Sequence, residues 1–210
     1  MSLLNKELVA EAGRYLSSTD HVLAAVIEQV GELHERPKTN GFKEICGIVV
    51  SQQLSGKAAD TILNRLEKAT QEYGGFHPEA ILRMPDATLR KTGLSKFKSG
   101  FVQGIASCII QDPNWLQSIE YLDDEAAISQ LTRAKGIGLW TANLYLISYH
   151  GRINVYPHGD GTLIRAIRQL YAFCPQNDPQ KYSHLVGSWK PYRSVAARYL
   201  WSWIDMPSRE

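Results

Sequence analysis

The sequence predicts an all-helical protein, on three observations. Apolar residues recur one helical turn apart through most of the chain. Glycine and proline interrupt those runs where helices must stop. No stretch alternates apolar and polar residues as a half-buried strand does. Leu8, Ala12, Tyr15 and Leu16 predict a first helix. Leu23, Val26, Ile27 and Val30 predict a second, with Asp20 placed to cap it and Gly31 to end it. Residues 42–73 read as two helices. One is apolar through Ile45, Ile48 and Val49, the other through Ala58, Ala59, Ile62 and Leu66, and Gly74-Gly75 closes the second. Further helices are expected over 78–82, 86–90 and 95–110, separated by Pro85 and Gly93. Another covers 125–133, and after Lys135-Gly136-Ile137-Gly138 a helix runs over 139–149. Asp160 or Thr162 opens a helix that reaches Tyr171, and helices over 179–186 and 192–204 complete the set.

A chain of 210 residues, 44% hydrophobic, buries enough apolar surface for one domain or two small lobes. Lys and Arg total 23 against 21 Asp and Glu, a net charge of +2. That balance permits a local basic patch without demanding a nucleic-acid partner. The three cysteines, Cys46, Cys108 and Cys174, are far apart and form no zinc or iron–sulfur spacing, which fits a reducing intracellular compartment. The start, Met1-Ser2-Leu3-Leu4-Asn5-Lys6-Glu7, lacks the basic-then-apolar order of a secretory signal. No apolar run reaches the length of a membrane span, so no membrane partner is expected; the run 45–50 ends in Ser51-Gln52-Gln53.

The stretch Leu131-Thr132-Arg133-Ala134-Lys135-Gly136-Ile137-Gly138-Leu139-Trp140-Thr141-Ala142 carries the most information. Two glycines flank an apolar residue between two helices. Glycine permits a tight turn and close approach of a ligand, and the amides opening the next helix can meet a phosphate. Ile137 is placed to anchor the turn in the core. With this hairpin, other stretches occur in a set order. They are Ser51-Gln52-Gln53-Leu54-Ser55-Gly56-Lys57-Ala58-Ala59, Gly93-Leu94-Ser95-Lys96-Phe97-Lys98, Val155-Tyr156-Pro157-His158-Gly159-Asp160 and Trp189-Lys190-Pro191-Tyr192-Arg193-Ser194. Together they cover nearly the whole chain. In them the sequence resembles the helix-hairpin-helix DNA glycosylase superfamily, in its 3-methyladenine DNA glycosylase II (alkylbase DNA glycosylase) branch.

The resemblance implies an all-α, two-lobed helix-hairpin-helix DNA glycosylase fold without an N-terminal β domain. Residues 1–210 form a single glycosylase unit, with a middle lobe over 41–150 and a second lobe from 1–40 plus 151–210. Lys135, Gly136, Ile137 and Gly138 would hold the DNA backbone. The carbonyls of Thr132, Ala134 and Ile137 would hold a Na+ or K+ ion beside a phosphate, with no organic cofactor. Phosphate contacts of this kind fix position without reading sequence.

By the same resemblance Asp160 is the essential carboxylate. It would oppose the positive charge that develops on deoxyribose as a base departs, or orient the attacking water. Asp160 is also well placed to cap the helix that follows. Trp140 stands where bifunctional relatives carry a nucleophilic lysine, so no lyase step is expected. Two neighbours depart from the branch's pattern: Gly159 replaces a second aspartate common among relatives, and Gly161 replaces a bulky apolar residue.

Trp140 and Trp201 match aromatic pocket positions, whose faces attract cationic alkylated purines. Leu144 takes the place of a tyrosine found in a bacterial relative, and His158 lines the pocket. Trp203 cannot share a helix face with Trp201 and is assigned to packing. Gln53 and Leu54 fall on the loop that fills the vacated base stack in the family, with Ser55 and Lys57 toward bases or phosphate. Ser51 and Ser55 are alternatively helix caps. Lys96, Lys98, Lys190 and Arg193 are either phosphate contacts or solvated charges.

The expected activity is monofunctional hydrolysis of the N-glycosidic bond of alkylated purines, 3-methyladenine and 7-methylguanine, in duplex DNA. A weakly catalytic or non-catalytic homologue that binds abasic or distorted DNA is the alternative, motivated by Gly161 and Leu144. The expected partner is duplex DNA with damaged bases or abasic sites, bound by a monomer. The expected location is the nucleus in a eukaryote and the cytoplasm in a prokaryote.

Overall fold

The computed structural model describes residues 6–33 and 40–206. Among them the regular elements are helical: α1 (Lys6–Thr19), α2 (His21–Val30), α3 (Gly41–Ser51), α4 (Gly56–Thr70), α5 (Pro78–Arg83), α6 (Asp86–Lys91), α7 (Lys96–Gln111), α8 (Asp124–Leu131), α9 (Leu139–Ser148), α10 (Gly161–Tyr171), α11 (Pro179–Ser188) and α12 (Arg193–Ile204). Short 3-10 turns lie at Gln71–Tyr73 and Ser118–Tyr121. The second turn has no helical period in the sequence to announce it. No described helix is long and apolar enough to cross a membrane.

Contacts between Cα atoms divide the chain into two compact units. Described residues 6–33 and 151–206 build one, and residues 40–150 build the other. In the first unit, α12 packs against α1, α2 and α10. Leu16, Leu23, Val26, Leu163, Ile167, Val195 and Leu200 are fully buried there around Trp189. Asp20 separates α1 from α2. Its Oδ1 accepts the Val22 and Leu23 amides at 3.0 Å, and Gly31 ends α2 at φ +69°. Asp20 Oδ2 accepts the Tyr171 hydroxyl at 2.6 Å and the Trp189 indole N–H at 2.9 Å. One buried carboxylate therefore ties the start of α2 to the end of α10 and to the residue after α11. Burial, then the Asp20 bond, push the Tyr171 hydroxyl far above its ordinary pKa, so it serves as a neutral donor.

The stretch 189–194 has its own structural account. Trp189 donates to Asp20, and Tyr192 donates to Glu11 at 2.8 Å. Arg193 donates to the side chain and carbonyl of Asn154 at 3.0 and 2.7 Å. The Ser194 hydroxyl bridges the amide and carbonyl of Val155. The Arg193 and Ser194 bonds clamp the loop that leads to α10 onto the start of α12.

In the second unit α3 packs on α4, α7 and α9, and α5 lies along α7. Ile45, Val49, Val50, Ile81, Val102, Ile105, Leu131 and Leu146 form its buried interior. α8 ends at Leu131, two residues short of the expected 125–133. The Thr132 hydroxyl bonds back to the carbonyls of Ile128 and Ser129, and the chain turns into the hairpin there.

Candidate functional site

The hairpin occupies 132–138, between α8 and α9. Gly136 takes φ +95°, and a Cβ built on it would come within 2.2 Å of Phe101 Cγ. Both the turn and the packing of α7 against it exclude a side chain. Ile137 is 4% exposed and anchors the turn, with its amide bonded to the Ala134 carbonyl at 3.1 Å. Lys135 and Gly138 are exposed. At Gly138 a Cβ would meet nothing within 4 Å. The fold itself leaves that position open to a close approach from outside.

Two helix starts in this unit differ from the rest. Gly138 gives α9 no capping side chain, and α9 has no acidic residue in its first turn. Ser55 stands at the N-cap position of α4 but makes no capping bond, and Lys57 occupies a first turn with no acid. The Ser51 hydroxyl instead bonds the Ile48 carbonyl, so neither serine caps α4. The other helix starts of the unit have a capping side chain or an acidic first turn. The starts of α4 and α9 thus retain unneutralised positive dipole ends, which suit phosphate.

The loop from α3 to α4 displays Gln53, Leu54, Ser55 and Lys57, all exposed. Gln53 adopts φ +57°, a left-handed conformation that costs a non-glycine residue about 1–2 kcal/mol. Gln52, to which the sequence reading gave no role, reaches out of this loop to the hairpin. Its Nε2 donates to the Gly136 carbonyl at 3.1 Å and to Thr141 Oγ1 at 2.9 Å. Lys98 is not a phosphate contact. Its ammonium donates to the carbonyls of Val50 and Gln52 at 2.8 and 2.7 Å, closing the end of α3, and burial lowers its pKa. Lys96 remains exposed. Trp140 and Leu144 lie one turn apart on α9, both half-buried.

The other unit holds Asp160, 7% exposed, at the N-cap of α10. Its Oδ1 accepts the Thr162 and Leu163 amides at 3.0 and 2.9 Å and the Trp201 indole N–H at 3.2 Å. The carboxylate is therefore held by the backbone of its own helix and by an aromatic side chain from α12. A Cβ built on Gly161 would meet nothing within 4 Å, so the position opens on free space. Trp203 faces elsewhere, donating to Gln29 on α2 at 3.1 Å, which places it in a packing role.

His158 is exposed on the loop before Asp160, with its ring edge-on to Tyr156 and Tyr182, centroids 5.1 and 5.8 Å away. Lost hydration among these rings, then the Arg193 charge, lower its pKa below the usual imidazole value. Arg193 is itself bonded to Asn154 and is no exposed phosphate contact, whereas Lys190 is exposed. Burial raises the hydroxyls of Tyr156 and Tyr182, and the Asp160 charge raises both further. Both phenols therefore stay neutral. The sequence signals Tyr156 only as part of the 155–160 stretch and does not signal Tyr182. No cluster of His, Cys, Asp or Glu capable of holding a metal occurs among the described residues.

Residues 46–191 match the family described as HhH-GPD superfamily base excision DNA repair protein. The alkylbase DNA glycosidase-like protein mag2 of Schizosaccharomyces pombe is 29% identical over 195 residues, covering 90% of this chain and 91% of that protein. DNA-3-methyladenine glycosylase 1 of the same yeast is 32% identical over 203 residues, covering 92% of this chain and 86% of that protein. The solved structure of a Schizosaccharomyces pombe 3-methyladenine DNA glycosylase in complex with abasic DNA superposes with a TM-score of 0.77 at 31% identity. It covers 91% of this chain and 95% of its own.

Proposed function

The chain belongs to the HhH-GPD superfamily of base excision DNA repair proteins, and from that premise we propose that it is a monofunctional glycosylase releasing alkylated purines from duplex DNA. The observation that carries this reading is Asp160: buried, fixed by two amides of α10, and tied to the half-buried Trp201. In 3-methyladenine or 7-methylguanine the ring is cationic. Breaking the C1′–N bond returns its electron pair to the purine, which leaves neutral and requires no strong general acid. Positive charge then develops on the deoxyribose, where a fixed carboxylate lowers the barrier by electrostatic preorganisation. Water adds at C1′ and loses a proton, and the strand stays intact because Trp140 offers no amine. Trp201 supplies an aromatic face for the base beside Asp160, and His158 lies on the loop before it.

Duplex binding follows from the other unit. The hairpin 135–138 and the uncapped starts of α4 and α9 take phosphates, and Gln53 and Leu54 fill the gap left by the extruded nucleotide. The hairpin offers carbonyl oxygens of Thr132, Ala134 and Ile137, hard donors that suit Na+ or K+. An ion held there would supply positive charge beside a phosphate in a chain whose own net charge is only +2. Measurement of base release and affinity on duplexes containing 7-methylguanine, 1,N6-ethenoadenine or an abasic analogue tests the proposal. Release that disappears with Asp160→Asn supports it. Tight abasic-site binding with no release from any lesion sinks the enzymatic reading in favour of a damage-binding homologue.

A further inference from the structure

The loop 52–55 and the hairpin 132–138 are far apart in the chain but are joined in the fold by side chains rather than by a shared helix. Gln52 follows α3 with φ −49° and ψ 125° and sends its amide group across to the hairpin. Both protons of that amide are used, one on the Gly136 carbonyl and one on Thr141 Oγ1. Thr141 is 1% exposed, so its hydroxyl meets Gln52 in a place water does not reach. Lys98 holds the carbonyls of Val50 and Gln52. The next residue, Gln53, is forced into the left-handed region. Strain of that kind persists only where neighbours over-determine the backbone, and it concentrates at functional positions.

We propose that Gln52, Thr141 and Lys98 form a strut that fixes the wedge loop at a set distance from the phosphate-holding hairpin, and so sets how strongly the protein discriminates damaged from intact duplex. The inference rests on the DNA-binding role proposed above. None of the three residues is assigned a contact with DNA; they are positioning residues. The hairpin alone gives sequence-independent grip, which damaged and intact duplexes share. Only wedge insertion at a destabilised nucleotide separates the two duplexes. A loop already held in its inserting conformation loses little freedom on binding, and a released loop loses more. The strut therefore acts on the difference between the two affinities and not on their common part.

Fluorescence anisotropy with a duplex containing a tetrahydrofuran abasic analogue, and with the same duplex intact, reads this difference. Gln52→Ala should weaken abasic-duplex binding about five- to tenfold and intact-duplex binding less than about twofold, the loss of one or two hydrogen bonds. Gln52→Glu keeps the size but sets a carboxylate against the Gly136 carbonyl, and should do at least as much damage. Thr141→Val keeps the shape and removes one acceptor, with an expected loss of about threefold on the abasic duplex only; it carries the test if Gln52→Ala does not fold. In a Leu54→Ala background Gln52→Ala should add less than about twofold, because the strut then has little wedge to position. Equal losses on both duplexes, or full additivity with Leu54→Ala, overturn the strut. Wild-type protein that binds both duplexes equally overturns the damage-binding reading and the strut with it. Discrimination retained in both Gln52 variants overturns the strut alone.

Discussion

Asp20 and Asp160 stand in the same unit, each buried, each capping a helix, each bonded to a tryptophan indole. They are 8% and 7% exposed, so burial does not tell them apart. Their donors do. At Asp20 the two oxygens divide the work: Oδ1 takes two amides, and Oδ2 takes Tyr171 and the fully buried Trp189. At Asp160 the two amides and the indole converge on Oδ1, and the indole belongs to a half-buried ring. Around Asp160 the chain is also open, with exposed His158 and Gly159 before it and exposed Gly161 after it. One carboxylate is spent on joining helices, and the other is fixed in place beside an accessible surface. These two capping aspartates thus differ in what their oxygens meet, not in how deeply they lie.

The same isosteric change at both sites breaks or confirms the contrast. Asp160→Asn keeps the Oδ1 that accepts the two amides and the indole, yet removes the charge. Base release should fall at least about 100-fold with a smaller loss of stability than at Asp20. Asp20→Asn sets amide hydrogens against the Trp189 N–H or against the helix amides. It should cost about 2–4 kcal/mol in urea unfolding while leaving base release per folded molecule unchanged. Equal stability losses at the two sites would remove the distinction. Trp201→Phe keeps an aromatic face but loses the pyrrole ring that donates to Asp160. A fall in base release of about five- to tenfold is expected, with less than about 1 kcal/mol of unfolding free energy lost.

Gly161→Ala fills open space at the first position of α10, so stability should rise by up to about 1 kcal/mol with release within about twofold of wild type. A tenfold loss of release would instead show that the glycine itself is required. The smallest effect concerns His158, whose folded pKa is depressed below its ordinary 6.5. Its unfolded form takes up a proton first, so stability is full above that value and is lost as pH falls through the lowered folded pKa. His158→Gln should flatten the pH 5 to 7 leg of the thermal midpoint, by less than about 1 kcal/mol for a ring this exposed. An unchanged leg would place the ring outside the desolvated cluster.

How legible each region was follows from the range of its interactions. α1, α2 and α10 were readable because their apolar spacing, and the caps Asp20, Gly31 and Asp160, are local features. The 3-10 turn Ser118–Tyr121 was not, because a single turn has no period to detect. The end of α8 lies two residues before the place apolar spacing predicts, since side-chain bonds from Thr132 decide it. The hairpin glycines were readable as a turn. Phe101, the second reason for Gly136, was not, because the contact crosses from α7. The partners of Lys98 and Gln52 are hidden from the sequence for the same reason. A charged or amide side chain in sequence carries no mark of whether its partner is water, phosphate or a carbonyl many residues away.

By itself, then, the sequence determined the helices, their caps, the hairpin and the candidate carboxylate, because each is written in residues within a turn or two of one another. Only the tertiary structure decided that Asp20 joins α2 to Tyr171 and Trp189 through its second oxygen. It also decided that Trp201 is bonded to Asp160 while Trp203 reaches α2, and that Gln52 spans to the hairpin. Those outcomes depend on which donors distant parts of the chain bring within about 3 Å, a distance at which hydrogen bonds form and which no local pattern encodes.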